Sequence, residues 1–213
     1  MKKLLFILSL SLLSFIIIAQ DVVIIKHTNY TTHFSKSKKY PVLVEWWITK
    51  AMVTCSTPLK RKDNFKPDPK LFVETDISVD YVGSGYDKGH VMPAADNLCQ
   101  TPQVQDECFY FSNMIPQSHY SNAGLWKKIE VLSRELASKN DSIHIWAGAV
   151  GSVKLFGAHK VSVPLQTWKV LYIKKTKSFD AYLFPNTDKK IADVESLKVK
   201  KEIIEKLTGF KFR

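Results

Sequence analysis

Hydrophobic and polar positions along the chain divide it into short strands around one strong helix. "VLVEWWITKAMV" (Val42–Val53) is rich in β-branched and aromatic residues and predicts a strand that opens a sheet. "LKRKDNFKPDPKL" has the charge and turn character of a loop, and "ECFYFSNMIPQ" predicts a short apolar strand that stops at Pro116. A helix follows, beginning near Ser121–Asn122, where either residue can cap it. Leu125, Ile129, Leu132 and Leu136 then recur at helical spacing and form one apolar face. "SIHIWAGAV", "TWKVLYIKK" and "FDAYLFPN" predict further strands, and "VKKEIIEKLTGF" a closing helix stopped by Gly209. Strands interrupted by a central helix imply an α+β domain with a mostly antiparallel sheet. Trp46 and Trp47 are adjacent on a strand, so one of them belongs to the core. Trp126 and Trp168 are expected to pack against the sheet.

The 213-residue chain starts with "MKK", an apolar run "LLFILSLSLLSFIII" and a small residue, Ala19, at a cleavage-like position. That order reads as a signal peptide over residues 1–19, with a secreted or periplasmic product. A membrane anchor is the competing reading, but the run is shorter than the ~20 apolar residues of a spanning helix and no basic cluster follows it. No lasting membrane association is expected once the leader is removed. Residues 20–213 suffice for one domain, and no repeat or Gly/Ser linker divides them. The formal charge of +11 favours a polyanionic partner. Because the lysines and arginines are spread over several clusters, a basic groove is expected rather than a basic tail. Of Cys55, Cys99 and Cys108, the last two bracket a short loop and are the expected disulfide, leaving Cys55 free. The cysteines form no CxxC metal pattern.

One segment, "GSGYDKGHVMPAADN" (Gly83–Asn97), follows neither a helical nor a strand period. It places His90 between a glycine and a proline, close to Asp87, Lys88 and Asp96, where an imidazole can act as a general base. His27, His33, His144 and His159 lack such neighbours and read as structural. In "SNMIPQSHYSNAGLWKKIE", Asn122 stands at the helix start and Glu130 eight residues on. On a regular helix that separation is about 12 Å and about 80° beyond two turns, too far for both to ligate one ion. Asn122 offers a hard oxygen suited to Mg²⁺, with Glu130 acting through water, although an ordinary N-cap would explain Asn122 as well.

"YDKGHVMPAADN" resembles the signature of the DNA/RNA non-specific endonucleases, ββα-metal nucleases of the endonuclease G kind, whose motif is usually D-R-G-H. "FYFSNMIPQ", "SNAGLWKKIE", "HIWAGAV", "VSVPLQTWKV" and "EIIEKLTGFKF" extend the resemblance over roughly Val42 to Phe212. The resemblance implies a ββα-metal fold with a long metal-bearing helix. It makes His90 the base, Asn122 the direct metal ligand, and Glu130 the acid beside the hydrated metal. Asn113, Asp87 and Gly89 match further active-site positions, assigned here to substrate binding. Arg61 is the candidate for an added basic residue at the scissile phosphate, with Lys62 or Lys66 as alternative registers. Lys88 departs from the motif, keeping the charge of arginine but losing its bidentate fork.

The activity implied is a metal-dependent phosphodiesterase that cuts DNA and RNA without sequence preference and leaves 5′-phosphates. Mg²⁺ is the expected ion, with Mn²⁺ or another divalent cation as substitutes. DNA and RNA are the expected partners; a homodimer is compatible, and an inhibitor partner is left open. The alternative is a nucleic-acid-binding protein that keeps the fold without turnover, but His90 and Asn122, whose loss would mark it, are both present. Neither H-E-x-x-H nor G-x-S-x-G occurs, which counts against a zinc protease or a lipase.

Overall fold

The computed structural model describes residues 21–191 and 193–213, so the expected leader over residues 1–19 lies outside the described residues. The main sheet runs in the order β1 (Val22–Lys26), β2 (Tyr30–Ser35), β3 (Tyr40–Thr49), β6 (Ser142–Val150), β9 (Gln166–Ile173), β10 (Ser178–Pro185) and β11 (Lys198–Val199). Every adjacent pair is antiparallel, as the alternating segments predict. Between β3 and β6 lies a long excursion that carries a second small sheet, β4 (Asp87–His90) paired antiparallel with β5 (Met114–Gln117). A hairpin of β7 (Lys154–Phe156) and β8 (Val161–Val163) follows β6.

Period-two alternation gives the main sheet two apolar faces. Val44, Trp46 and Ile48 of β3, Ile143 and Ile145 of β6, and Leu171 of β9 meet Leu125, Trp126 and Ile129 of the central helix. Trp126 and Ile129 are fully buried there, a gain of roughly 2–3 kcal/mol each relative to exposure. The opposite face, with Leu43, Trp146, Trp168 and Val170, is covered by Ile204 of the closing helix and by Phe212. That helix runs Lys201–Thr208 and ends at Gly209 in the left-handed region, as expected. Trp46 is core and Trp47 is substantially exposed, with its ring stacked on His144 at 4.5 Å. Among the described residues no helix is long and apolar enough to cross a membrane.

Three local expectations change. The strand from Val42 ends at Thr49, and Lys50–Val53 (α1) form a helical turn where the Lys50 amide bonds the Asp141 carbonyl at 2.8 Å. The central helix begins as a π-helical turn, Ser121–Trp126, before the α-helix Lys127–Asn140, and no side chain caps it. Ser121 Oγ instead donates to the carbonyls of Pro185 and Thr187 at the end of β10, 3.0 Å each. The disulfide joins Cys55 to Cys99, and Cys108 is the free thiol. The reason is a helix, Pro102–Glu107, capped by Thr101, which occupies the supposed loop and turns Cys108 into the core. There Asn97 Nδ2 donates to Cys108 Sγ at 2.8 Å, and burial pushes the thiol up to about 12.

The disulfide closes a segment of 44 residues that includes Arg61 and all of β4. Replacing Cys55 and Cys99 together by serine is therefore expected to lower unfolding stability by about 4 kcal/mol from chain entropy. Urea denaturation of this variant beside Cys108→Ser, in which the bridge stays intact, checks that value.

Candidate active site

His90 ends β4, opposite Met114 of β5, and the central helix crosses beneath the pair. The Trp126 indole N–H donates to the His90 carbonyl at 2.8 Å, binding helix to strand. This ββα unit opens a cavity of about 300 Å³ lined by Arg61, Lys88, His90, Asn122 and Glu130. All five expected catalytic and metal positions thus meet at one place. Two larger depressions, of about 500 and 510 Å³, lie elsewhere and collect none of the five. Chemistry rather than size singles out the smaller one.

The π-helical turn explains why Asn122 and Glu130 share it. An i→i+5 turn absorbs one extra residue, so eight positions advance like seven, about 20° short of two full turns. The expected angular mismatch of about 80° is removed, and both side chains line one cavity. Asp87 Oδ2 accepts from Asn122 Nδ2 at 3.0 Å and lies 2.9 Å from His119 Nδ1. Asp87 therefore orients the Asn122 amide and leaves its carbonyl oxygen for a ligand. His119, mostly exposed, escaped the sequence reading because nothing near it in the chain marks it.

His90 is nearly buried, edge-on to Phe109 at 4.9 Å and beside Phe65 at 5.4 Å. Burial pushes its pKa down to about 3, with the Arg61 charge adding to the effect and Asp63 opposing it. A neutral imidazole, the form a base requires, is thus present at ordinary pH. The same aromatic pair supports the cations: Lys88 Nζ sits 4.6 Å from the Phe65 centroid and the Arg61 guanidinium 5.5 Å from that of Phe109. Arg61 also pairs with Asp63 at 2.7 Å in an exposed bridge that a phosphate can displace. Of the three registers, Arg61 lines the cavity, while Lys66 pairs with Asp106 at 2.9 Å and Lys62 lines a different depression. Lys127 and Arg134 line the cavity as well, and sequence reasoning missed both.

Asn113 and Gly89 serve the framework. Asn113 Nδ2 donates to the carbonyls of Met92 and Cys108, and its Oδ1 accepts from the Met92 amide, so the fully buried side chain ties β5 to the His90 loop. A Cβ on Gly89 would stand 1.9 Å from Gln117 Oε1, so the motif's glycine makes room for a buried side chain. Gly83 and Gly85 take positive φ in open space, which makes them turn residues. The histidines read as structural have such roles: His27 is 3.0 Å from Asp68 and His159 is 2.6 Å from Asp80.

The donor set fits a hydrated hard cation. Among the described residues no group of three or more His, Cys, Asp or Glu surrounds a point, so a full protein cage is absent. An amide oxygen and a half-buried carboxylate free of ion pairs, both facing one cavity, suit an ion that keeps most of its waters. Burial pushes the Glu130 carboxyl upward, with Lys169 opposing.

The profile of the DNA/RNA non-specific endonuclease family matches residues 16–213. A nuclease of Nostoc sp. is 31% identical over 86% of this chain and 70% of its own length. The Serratia marcescens nuclease is 31% identical over 90% of this chain and 74% of its own. The mitochondrial nuclease EXOG of Xenopus laevis is 28% identical over 88% of this chain, which spans only 57% of that protein. The solved EndoG/EndoGI complex, described as showing the mechanism of EndoG inhibition, superposes with a TM-score of 0.78 at 25% identity, covering 89% of this chain and 84% of that one. The expected secreted or periplasmic location is overturned, because matched relatives from Xenopus laevis, mouse and human are mitochondrial nucleases.

Two outcomes follow from the packing of β4. Gly89→Ala should lose about 1–3 kcal/mol by overpacking against Gln117, read by thermal denaturation. A neutral buried His90 binds its proton less readily folded than unfolded, so its contribution to stability is complete above pH 6.5 and is lost as pH falls toward about 3. Denaturation across that window should show a shallower acid slope in His90→Gln.

Proposed function

Because the chain belongs to the DNA/RNA non-specific endonuclease family, a family of hydrolytic nucleases, we propose that it hydrolyses phosphodiester bonds of DNA and RNA without sequence preference. Residues 20–213 act as a single catalytic domain. The observation that supports this reading is the meeting, in one cavity, of a neutral imidazole, two hard oxygen donors and unpaired cationic charge.

Asn122 Oδ1 would hold a divalent cation, Mg²⁺ or Mn²⁺, and Glu130 would hold one of its waters. When bound, the ion supplies charge stabilisation at the phosphate and the leaving O3′. The chain's own residues do the rest. His90 takes a proton from the attacking water, its ring fixed by Phe109 and its backbone by Trp126. Lys88 and Arg61 neutralise the non-bridging phosphate oxygens, for which electrostatic preorganisation is the usual large contribution. Departure of O3′ leaves the phosphate on the 5′ side. Lys127 extends the positive rim, so binding runs through phosphates and weakens with salt.

Plasmid DNA and bulk RNA should both be degraded by the purified protein with Mg²⁺ and spared with EDTA. His90→Ala should lose at least about 10³-fold in turnover while still retarding DNA in a gel, the size expected for removal of a catalytic base. Wild-type turnover in His90→Ala would refute the assignment.

A further inference from the structure

Beneath the cavity lies a charge that hydrolysis as described leaves unused. Lys169 of β9 is fully buried, and its Nζ has no hydrogen-bond partner among the described residues. An ammonium without acceptors is unfavourable in a protein interior, so its position needs a cause. Nζ lies 4.3 Å from the Trp126 ring centroid and 5.5 Å from that of Trp46, and cation–π attraction is strongest when desolvated. Both indoles are committed to the site at their other ends. Trp126 donates to the His90 carbonyl at 2.8 Å, and Trp46 donates to Asp96 Oδ2 at 3.0 Å. The second oxygen of Asp96 takes Arg134 NH1 at 3.1 Å, and Arg134 lines the cavity. Burial acts most strongly against the ammonium; Glu130 and Asp96 supply the negative charge that supports it, and Arg134 opposes it.

We propose that Lys169 is a positioning residue for the nuclease centre: clamped between two indoles, it holds Trp126 on the His90 carbonyl and Trp46 on Asp96, and so fixes the base and Arg134. The proposal rests on the hydrolytic reading above. Its simplest rival is that Lys169 merely fills the core. Lys169→Met separates the two, because methionine has a similar stem and volume but no charge. A filler would tolerate that change, since apolar isosteres of buried ions are often neutral or stabilising. A positioning residue would not, since small displacements of reacting groups reach about 10²-fold in rate.

The test measures plasmid cleavage by Lys169→Met under saturating Mg²⁺, together with ¹H–¹⁵N spectra of the five tryptophan indoles. We expect kcat to fall about 10–100-fold with KM changed less than about threefold, and the Trp46 and Trp126 signals to shift while the other three stay. A folded variant with wild-type kcat overturns the proposal, and so does a rise in KM at unchanged kcat. If the variant does not fold, Trp126→Phe decides, because it keeps a ring for the ammonium and removes the N–H to His90 along with part of the indole's volume. The same kcat loss in it supports the proposal, and wild-type kcat overturns it. Wild-type protein and His90→Ala run alongside: cleavage by the first and not the second upholds the nuclease reading even where the Lys169 result is negative.

Discussion

The hydrogen bond from the Trp126 indole to the His90 carbonyl joins the two halves of the site. His90 and Asn122 arrive on separate elements, a short strand outside the main sheet and the start of the helix that packs on it. A buried indole N–H left without an acceptor would lose about 1–3 kcal/mol, so strand and helix are strongly held in this one arrangement. Asp87 adds a second tie at the rim by taking the Asn122 amide. With both ties in place, His90 and Asn122 face the same small cavity.

Charge is layered around that joint. At the rim, Arg61, Lys88 and Lys127 bring positive charge to the cavity, with Arg61 in an exposed pair with Asp63. Below them His90 is neutral because burial and Arg61 disfavour its protonated form. In the floor, two acids and two bases (Asp96, Glu130, Arg134 and Lys169) balance formally, yet only the Arg134–Asp96 contact is a direct ion pair. An arrangement with so few direct pairs is a poor device for stability, and it lies by the proposed active site rather than in the far face of the sheet.

Much of this was legible in the chain because it is local. Alternation gave the strands, Leu125 and Ile129 gave the helix face, and "DKGH" with "SNAGLWKKIE" gave the residues that line the cavity. What stayed hidden depends on distant partners. The π-helical turn is held by Ser121 against the carbonyls of Pro185 and Thr187, more than sixty residues away. Gly89 and Asn113 looked like substrate residues from the motif, while their environment is Gln117 and the Met92 and Cys108 backbone. The Cys55–Cys99 pairing does have a local signal, since Thr101 followed by Pro102 is a helix start and argues against a loop between Cys99 and Cys108. The buried Lys169 had no local mark at all, because a lysine in "TWKVLYIKK" reads as an outward strand position.

The central claim is that Asn122, oriented by Asp87, is the direct ligand of the catalytic ion. Mn²⁺ binding followed by electron paramagnetic resonance, on wild type, Asn122→Ala and His90→Ala, tests it most directly. The account predicts one bound ion per chain in wild type and His90→Ala, and at least a tenfold loss of affinity in Asn122→Ala. Unchanged Mn²⁺ affinity in a folded Asn122→Ala protein would contradict it.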